Sequence, residues 1–448
     1  MIQREWFAVN TGIASIAGYL RSLGCEILVL DPRLEQLTTK QLAEQILAWT
    51  PDFVGYTAAS QDICDAAEIA AEVKNARAGV VNVVGGYHAS ALPTQTLAEF
   101  PAFDIAVQGE GEIPFGQLVQ GVPPEQVPGI AVRSEAGTPV LTHGDRPLAN
   151  LDELPMPAWD LFELGRYPHP LLFECVRGCP YNCVYCFHAV GRQVRYKSPE
   201  RALDEISYCY EKYGVRHMHL GTNGTWPLAR QHCAEICEGI LARGLKIRWR
   251  TSARTDLMDE ELIALMRRSG CDSMDIGIES GSAEILRRCQ KKTSLPETIR
   301  IVRACHEQGI EVELNFLVGL PYENQESMKE TYDLVGKLRR YSTLANFALL
   351  MPFPGTAVYE MAMKHEGGLR IVSTDWRKYT KQAGRVLKYD HVSQDELEAW
   401  RAKLYRHYYF SLRKLFQVLR APGARRLITP ARLLFMLKTP FTSRQRKR

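Results

Sequence analysis

The chain has 448 residues, of which 46% are apolar and 24% charged. This is the composition of a folded globular protein of two or three domains, and it excludes a disordered or fibrous chain. No run of 18 or more apolar residues is present and no signal peptide opens the chain, so we expect no membrane span and a cytoplasmic location.

The net charge of +4 is unevenly distributed. Residues 401–448 carry 14 Lys and Arg and no Asp or Glu, which leaves 41 basic and 51 acidic residues in the rest of the chain. We predict a solvated, helix-bearing basic tail, with contact to an anionic membrane surface, an acidic partner or a phosphorylated substrate as the alternatives. Nucleic-acid binding is not expected, because no base-reading or stacking module accompanies the charge.

The first 125 residues alternate between helical and strand patterns. Helices are predicted at 10–23, 39–49 and 61–76, and strands at 26–30, 52–57, 80–84 and 103–107. This alternation predicts an α/β domain over 1–125 with a doubly wound, Rossmann-like parallel sheet. Ligands of such sheets bind at the carboxyl ends of the strands.

A hairpin at 130–142 and a Pro-rich linker at 151–162 follow, so we place a connecting segment at 126–170. A second α/β series then begins, with strands predicted at 171–175, 216–220, 246–251, 273–278, 311–318 and 345–351. Six such βα units predict a partial (β/α)6 barrel of the TIM type over 171–360. A mostly helical region is predicted over 361–448, with an amphipathic helix at 393–419 and the basic tail.

Three cysteines form the most informative motif. The segment CVRGCPYNCVYC, residues 175–186, places Cys179, Cys183 and Cys186 in a C-x3-C-x2-C pattern in the loop after the first barrel strand. Thiolates are the usual ligands of iron–sulfur clusters, and three of them leave one iron of a four-iron cubane open to a substrate. A structural zinc site that also uses Cys175 or His188 and a plain four-cysteine cluster remain alternatives.

This loop resembles that of the radical S-adenosylmethionine superfamily. Further segments that resemble the family follow in the same order: GRQVRYKSPERALDEI (191–206), GIESGS (277–282), FLVGLPYEN (316–324) and MPFPGT (351–356). The resemblance implies that Cys179, Cys183 and Cys186 bind a 4Fe–4S cluster and act in catalysis. The open iron would hold S-adenosylmethionine, which is cleaved reductively to a 5′-deoxyadenosyl radical.

The resemblance also implies roles for other positions. Tyr185 would lie against the adenine, Glu279 would accept hydrogen bonds from the ribose hydroxyls, and the backbone at Gly319 would approach the adenine. Thr222 and Asn223 stand where the family often has acidic residues that contact the methionine ammonium group.

The N-terminal part resembles the cobalamin-binding domain that precedes many of these enzymes, through the segments DFVGYTAAS (52–60), VVGGYHASALP (83–93) and VQGEGE (107–112). The resemblance implies bound cobalamin. No Asp-x-His-x-x-Gly segment is present, so we expect no histidine of the protein to coordinate cobalt, and we expect His88 to face solvent. Only nine residues precede Asn10, so the sheet is expected to lack its first strand.

Together these resemblances imply an enzyme that abstracts hydrogen from an unactivated carbon of a small specialised metabolite and methylates it with the help of cobalamin. The alternative is a cobalamin-free radical dehydration, epimerisation, cyclisation or oxidoreduction of a sugar-like antibiotic precursor. Either reaction implies an electron donor such as flavodoxin or ferredoxin. The sequence does not identify the substrate.

Overall fold

The computed structural model describes residues 8–35, 37–167, 171–221, 226–380, 385–410 and residue 414. The N-terminal region is a five-stranded sheet with helices packed around it. Its strands are β1 Phe53–Thr57, β2 Val81–Gly85, β3 Ile105–Val107, β4 Ile130–Arg133 and β5 Pro139–Leu141. Its helices are α1 Thr11–Ser22, α2 Pro32–Glu35, α3 Thr39–Ala48, α4 Ile63–Ala76, α5 Gly86–Ala91, α6 Pro93–Glu99 and α7 Glu112–Val119.

The first three strands of this sheet are parallel, which confirms the doubly wound interpretation. The predicted hairpin forms as β4 and β5, and β4 pairs antiparallel with β3, so the hairpin extends the N-terminal sheet. The strand predicted at 26–30 is wrong, because those residues have no regular secondary structure. A strand forms only by pairing its backbone with a neighbour, and within the described residues the sheet ends at β1 on that side.

The second region contains six parallel strands in the spatial order of the sequence, as a partial barrel requires. The strands are β6 Leu171–Phe173, β9 His217–Leu220, β10 Arg248–Ala253, β11 Cys271–Glu279, β12 Glu311–Val318 and β13 Leu344–Leu349. The helices are α8 Pro199–Lys212, α9 Arg230–Ala242, α10 Glu260–Arg268, α11 Ala283–Arg288, α12 Leu295–Glu307 and α13 Gln325–Leu338. A short ribbon of β7 Val176–Arg177 and β8 Arg195–Tyr196 flanks the cysteine loop.

Local sequence explains these barrel elements. Helix α8 begins where the Ser198 side chain accepts a hydrogen bond from the Arg201 amide and Pro199 occupies the first turn. Along β12 burial alternates with period two, so that Val312, Leu314 and Phe316 enter the apolar core. The intervening residues are polar or only half-buried, and they form the other face of the sheet.

The C-terminal region packs against both preceding regions. It comprises α14 Ala357–Met363, the antiparallel strands β14 Leu369–Ile371 and β15 Leu387–Tyr389, and α15 Gln394–Tyr409. Trp376 and Tyr379 join the apolar core of the N-terminal domain, and Trp376 Nε1 donates to Glu99 Oε2 at 2.6 Å. Most of the basic tail lies outside the described residues. Within those residues, no helix is long and apolar enough to cross a bilayer.

A buried cluster of charges joins the N-terminal sheet to the barrel. Arg177, on β7, donates to Glu110 at 2.7 Å, to Glu112 at 2.7 Å and to Glu174 at 2.8 Å. Glu110 also pairs with Arg195, on β8. The carboxylates that bind Arg177 come from both domains, and the side chains of Arg177 and these three partners are each at most 4% exposed.

Replacing Arg177 with Met should destabilise the protein by about 3–5 kcal/mol, because it removes the buried cation from Glu112 and Glu174 and leaves Glu110 with Arg195 alone. In the native protein burial alone would raise the pKa of Glu112, but the Arg177 charge holds that pKa below its usual range. The stability that ionised Glu112 contributes is therefore fully present above the ordinary carboxyl pKa. It is lost as the pH falls through the lowered pKa of Glu112 in the native protein. In the variant, burial without the Arg177 charge favours the protonated form of Glu112, so the deficit should shrink in acid.

Denaturant unfolding at neutral and acidic pH measures both effects. Arg21→Ala is the matched control, because it removes an exposed pair with Asp160 that contributes about 0–1 kcal/mol. Equal stability of the Arg177→Met and Arg21→Ala variants would contradict the role assigned to the buried cluster.

Candidate active site

The cysteine loop lies between the two strands of the short ribbon and is held against the barrel by its backbone. Gly178 opens the loop with a φ of +85°, and a Cβ at this position would lie 2.2 Å from the Gln193 carbonyl oxygen. Only glycine satisfies both demands. The Val184 amide donates to the Cys289 carbonyl at 3.1 Å, and the Val184 carbonyl accepts from the Val358 amide at 2.9 Å.

The three predicted cysteines differ in accessibility. Cys179 is buried, Cys183 is half-buried and Cys186 is exposed. None of the chain's cysteines forms a disulfide within the described residues. Three thiolates in one short loop repel one another unless positive charge neutralises them, and the iron atoms of an iron–sulfur cluster would supply that charge.

The described residues contain no group of three His, Cys, Asp or Glu side chains that could hold a single metal ion. A cubane has a different requirement, because each thiolate binds its own iron atom. The donor set of this loop therefore fits the cluster that the sequence predicts.

Glu279 ends β11 beside the cysteine loop. Its backbone is left-handed, with a φ of +69°, a conformation that a non-glycine residue adopts only when its surroundings enforce it. Its carboxylate lies 3.3 Å from Nζ of the buried Lys291. Gly277 makes room for this pair, because a Cβ there would lie 2.4 Å from the Glu279 Oε1 atom.

Tyr185 belongs to the cysteine loop, directly before Cys186, and lies near Glu279. Burial, and then the charges of Glu279 and Cys183, raise the pKa of Tyr185 well above 10. Its ring packs against the apolar cluster that includes Ile285 and Leu320. The structure thus brings Tyr185, Glu279 and the cysteines together, as the sequence predicts.

Gly319 follows β12 with a φ of +88°, and a Cβ there would lie 2.6 Å from the Tyr389 hydroxyl. The close approach that this glycine permits is therefore to Tyr389. The Gly319 amide donates to Glu323 Oε2 at 2.6 Å, and burial raises the pKa of Glu323 to about 7. Thr222 and Asn223, the predicted contacts for the methionine ammonium group, lie outside the described residues.

Sequence reasoning missed two cations at this site. One is Lys291, for which the sequence offers no signal. The other is Arg254, whose Nη1 lies 3.8 Å from the Cys183 sulfur. Arg254 directly follows β10, so the rule that barrel enzymes place functional residues at the carboxyl ends of strands could have found it.

The carboxyl edge of the N-terminal sheet faces the cysteine loop. Tyr87, in the first turn after β2, makes an edge-to-face contact with Phe187, next to Cys186, at 6.4 Å between ring centroids. Tyr87 is 53% exposed. The loop after β3 also approaches, because a Cβ on Gly109 would lie 3.5 Å from the Ala189 carbonyl oxygen.

His88 differs from the prediction that it faces solvent, because it is 1% exposed. Its neighbour Trp376, from the C-terminal region, covers the ring at 4.7 Å. Nδ1 lies 3.0 Å from Ser60 Oγ, while Nε2 has no hydrogen-bond partner among the described residues. Burial lowers the pKa of His88 to about 4, so the ring is neutral. An unpaired buried nitrogen beside the carboxyl ends of β1 and β2 fits a domain that encloses a bound cofactor.

Comparisons with known proteins agree with this architecture. Residues 173–335 match the Radical SAM superfamily and residues 5–119 match the B12 binding domain. An uncharacterized methyltransferase of Pyrococcus horikoshii is 30% identical over 408 residues, which cover 89% of this chain and 87% of the relative. The anaerobic magnesium-protoporphyrin IX monomethyl ester cyclase of Rubrivivax gelatinosus is 29% identical over 402 residues, or 86% of this chain and 71% of the cyclase.

Among solved structures, the radical S-adenosylmethionine methyltransferase TsrM from Kitasatospora setae, with cobalamin and a 4Fe–4S cluster bound, has the same fold. The TM-score is 0.73 at 19% identity, over 90% of this chain and 86% of TsrM. The predicted fold class is thereby confirmed. With both domains matched and a relative aligned over nearly its whole length, the chain belongs to the radical S-adenosylmethionine superfamily, in the branch that uses a 4Fe–4S cluster, S-adenosylmethionine and cobalamin.

Proposed function

We propose that this enzyme methylates an unactivated carbon of a small specialised metabolite, such as an antibiotic precursor. The observation that carries the proposal is the meeting of the two domains, where Tyr87 of the N-terminal sheet contacts Phe187 beside Cys186. When bound, the cluster supplies the electron that cleaves S-adenosylmethionine to a 5′-deoxyadenosyl radical, and cobalamin carries the methyl group.

In this proposal the residues of the chain bind and orient. Cys179, Cys183 and Cys186 hold the cluster. Glu279 accepts hydrogen bonds from the two ribose hydroxyls, because an ionised carboxylate accepts several donors, and Lys291 fixes the orientation of that carboxylate. Tyr185 lies along the adenine.

The proposal also includes the other predicted contacts of S-adenosylmethionine. The backbone at Gly319 would contact the adenine through its carbonyl group, since its amide is bound by Glu323. Thr222 and Asn223 stay proposed contacts of the methionine ammonium group. We further propose a flavodoxin or ferredoxin as electron donor and a cytoplasmic location, because an exposed cluster loop and cysteines without disulfides suit a reducing compartment.

A radical reaction without methyl transfer is the second candidate. It is favoured by the similarity to a cyclase, which matches over most of this chain. Both candidates use the same cluster and the same cleavage of S-adenosylmethionine, so the products must distinguish them.

Anaerobically reconstituted protein with cobalamin and a chemical reductant should convert S-adenosylmethionine into both 5′-deoxyadenosine and S-adenosylhomocysteine. Both are expected because one equivalent yields the radical and another donates the methyl group. Mass spectrometry of the products measures the ratio. Formation of 5′-deoxyadenosine without S-adenosylhomocysteine would reject methylation in favour of the second candidate.

Replacing any one of Cys179, Cys183 and Cys186 with Ala should abolish cluster binding and 5′-deoxyadenosine formation, because two thiolates do not hold a cubane against solvent. Iron and acid-labile sulfide analysis and the visible spectrum measure the loss. Cys175→Ala is the matched control, since Cys175 is a cysteine of the same segment and is buried like Cys179, and it should retain the cluster. A full complement of iron and sulfide in any of the three variants would refute the assignment.

Replacing Glu279 with Gln should weaken binding of S-adenosylmethionine about tenfold, because two hydrogen bonds to a charged acceptor become bonds to a neutral one. Anaerobic equilibrium dialysis measures the dissociation constant, and the iron content should not change. The control is Glu284→Gln, on the exposed surface of α11, where Glu284 pairs with Arg287. Unchanged affinity in the Glu279 variant would remove this residue from the binding site.

A further inference from the structure

Arg254 is held in place by Asp256 and Tyr181. Its Nε and Nη2 atoms donate to the two carboxylate oxygens of Asp256 at 3.0 and 2.9 Å. Its guanidinium carbon lies 3.6 Å from the centroid of the Tyr181 ring, which stacks beneath it. These contacts occupy one edge and one face of the guanidinium and leave the Nη1 end directed elsewhere.

That remaining end points at a cysteine of the cluster loop. Nη1 lies 3.8 Å from the Cys183 sulfur, and the whole Arg254 residue is 4% exposed. Tyr181 itself belongs to the cluster loop, between Cys179 and Cys183. The arginine therefore contacts the loop twice, once through a ring and once through a sulfur.

We propose that Arg254 is a positioning residue that sets the reduction potential of the cluster through a charge-assisted hydrogen bond to the Cys183 thiolate. This inference rests on the proposed function, in which Cys183 is a cluster ligand. An added electron spreads over the irons and their sulfur ligands, so a cationic donor at one sulfur stabilises the reduced cluster more than the oxidised one. Low exposure strengthens the effect, because water does not screen the charge.

Asp256 has a defined part in this arrangement. It accepts from both nitrogens of one guanidinium edge, Nε and Nη2, in a bidentate geometry that only arginine matches, so it fixes the direction of Nη1. A lysine could neutralise Asp256 or donate to the sulfur, but its single ammonium group would not stack on Tyr181 while doing both. The proposal thus depends on the guanidinium shape as well as on its charge.

The test is a redox titration, monitored by electron paramagnetic resonance, of anaerobically reconstituted protein with cobalamin and without S-adenosylmethionine. The variants are Arg254→Met and the double variant Arg254→Met/Asp256→Asn, in which no carboxylate is left unpaired. In both, the equilibrium constant for reduction should fall about tenfold, which is a potential lower by about 59 mV for a one-electron couple. Arg254→Gln, which keeps a neutral donor, should fall between these variants and the native protein.

Arg216→Met is the matched control. Arg216 also stacks on a tyrosine, with its guanidinium carbon 3.6 Å from the Tyr210 ring centroid, but it is exposed and contacts no cysteine among the described residues. Its cluster potential should equal that of the native protein.

Iron, sulfide and S-adenosylmethionine affinity are measured on every variant. A native potential in the Arg254 variants, with a full cluster, would overturn the inference while leaving the proposed function intact. A native potential combined with lost affinity for S-adenosylmethionine would also overturn it, and would assign Arg254 to the substrate instead. Absence of a cluster from the native protein would overturn the proposed function as well. If Arg254→Met does not assemble a cluster, the Arg254→Gln variant decides the matter by its potential.

Discussion

The buried charge cluster around Arg177 is the constraint on which the rest of this structure depends. One guanidinium binds Glu110 and Glu112 from the N-terminal domain and Glu174 from the barrel, all out of contact with water. Such clusters contribute little net stability but penalise any arrangement that separates their members. Because Arg177 lies two residues before Cys179, the interaction that fixes the two domains also fixes the start of the cysteine loop.

The N-terminal sheet and the barrel therefore face one another with the carboxyl ends of their strands. The barrel contributes the loop with the cysteines, and Glu279 at the end of β11. The N-terminal sheet contributes Tyr87 after β2 and the acidic segment after β3. The chemistry proposed here needs a radical source and a methyl carrier within reach of one substrate, and this opposition of edges is the geometry that brings them together.

The sequence predicted the parts of the structure that depend on local pattern. The strand predicted at 311–318 forms as β12. The assignment of Cys179, Cys183 and Cys186 as cluster ligands rests on their spacing and on the family resemblance, and it stays a prediction. Features created by tertiary contact were not predictable. His88 is buried because Trp376, nearly 300 residues later, covers it. The segment at 26–30 forms no strand because no neighbouring strand among the described residues pairs with its backbone.

The same long-range packing has a consequence for how the chain is made. The core of the N-terminal domain contains Trp376, Tyr379 and Val386 along with residues such as Ile63 and Phe103. The ribosome synthesises the first 150 residues long before these three, so part of the apolar surface of the N-terminal domain stays uncovered until they have been synthesised. Nascent chains halted near residue 360 should accordingly be clients of chaperones, whereas those released beyond residue 390 have everything needed to close that core.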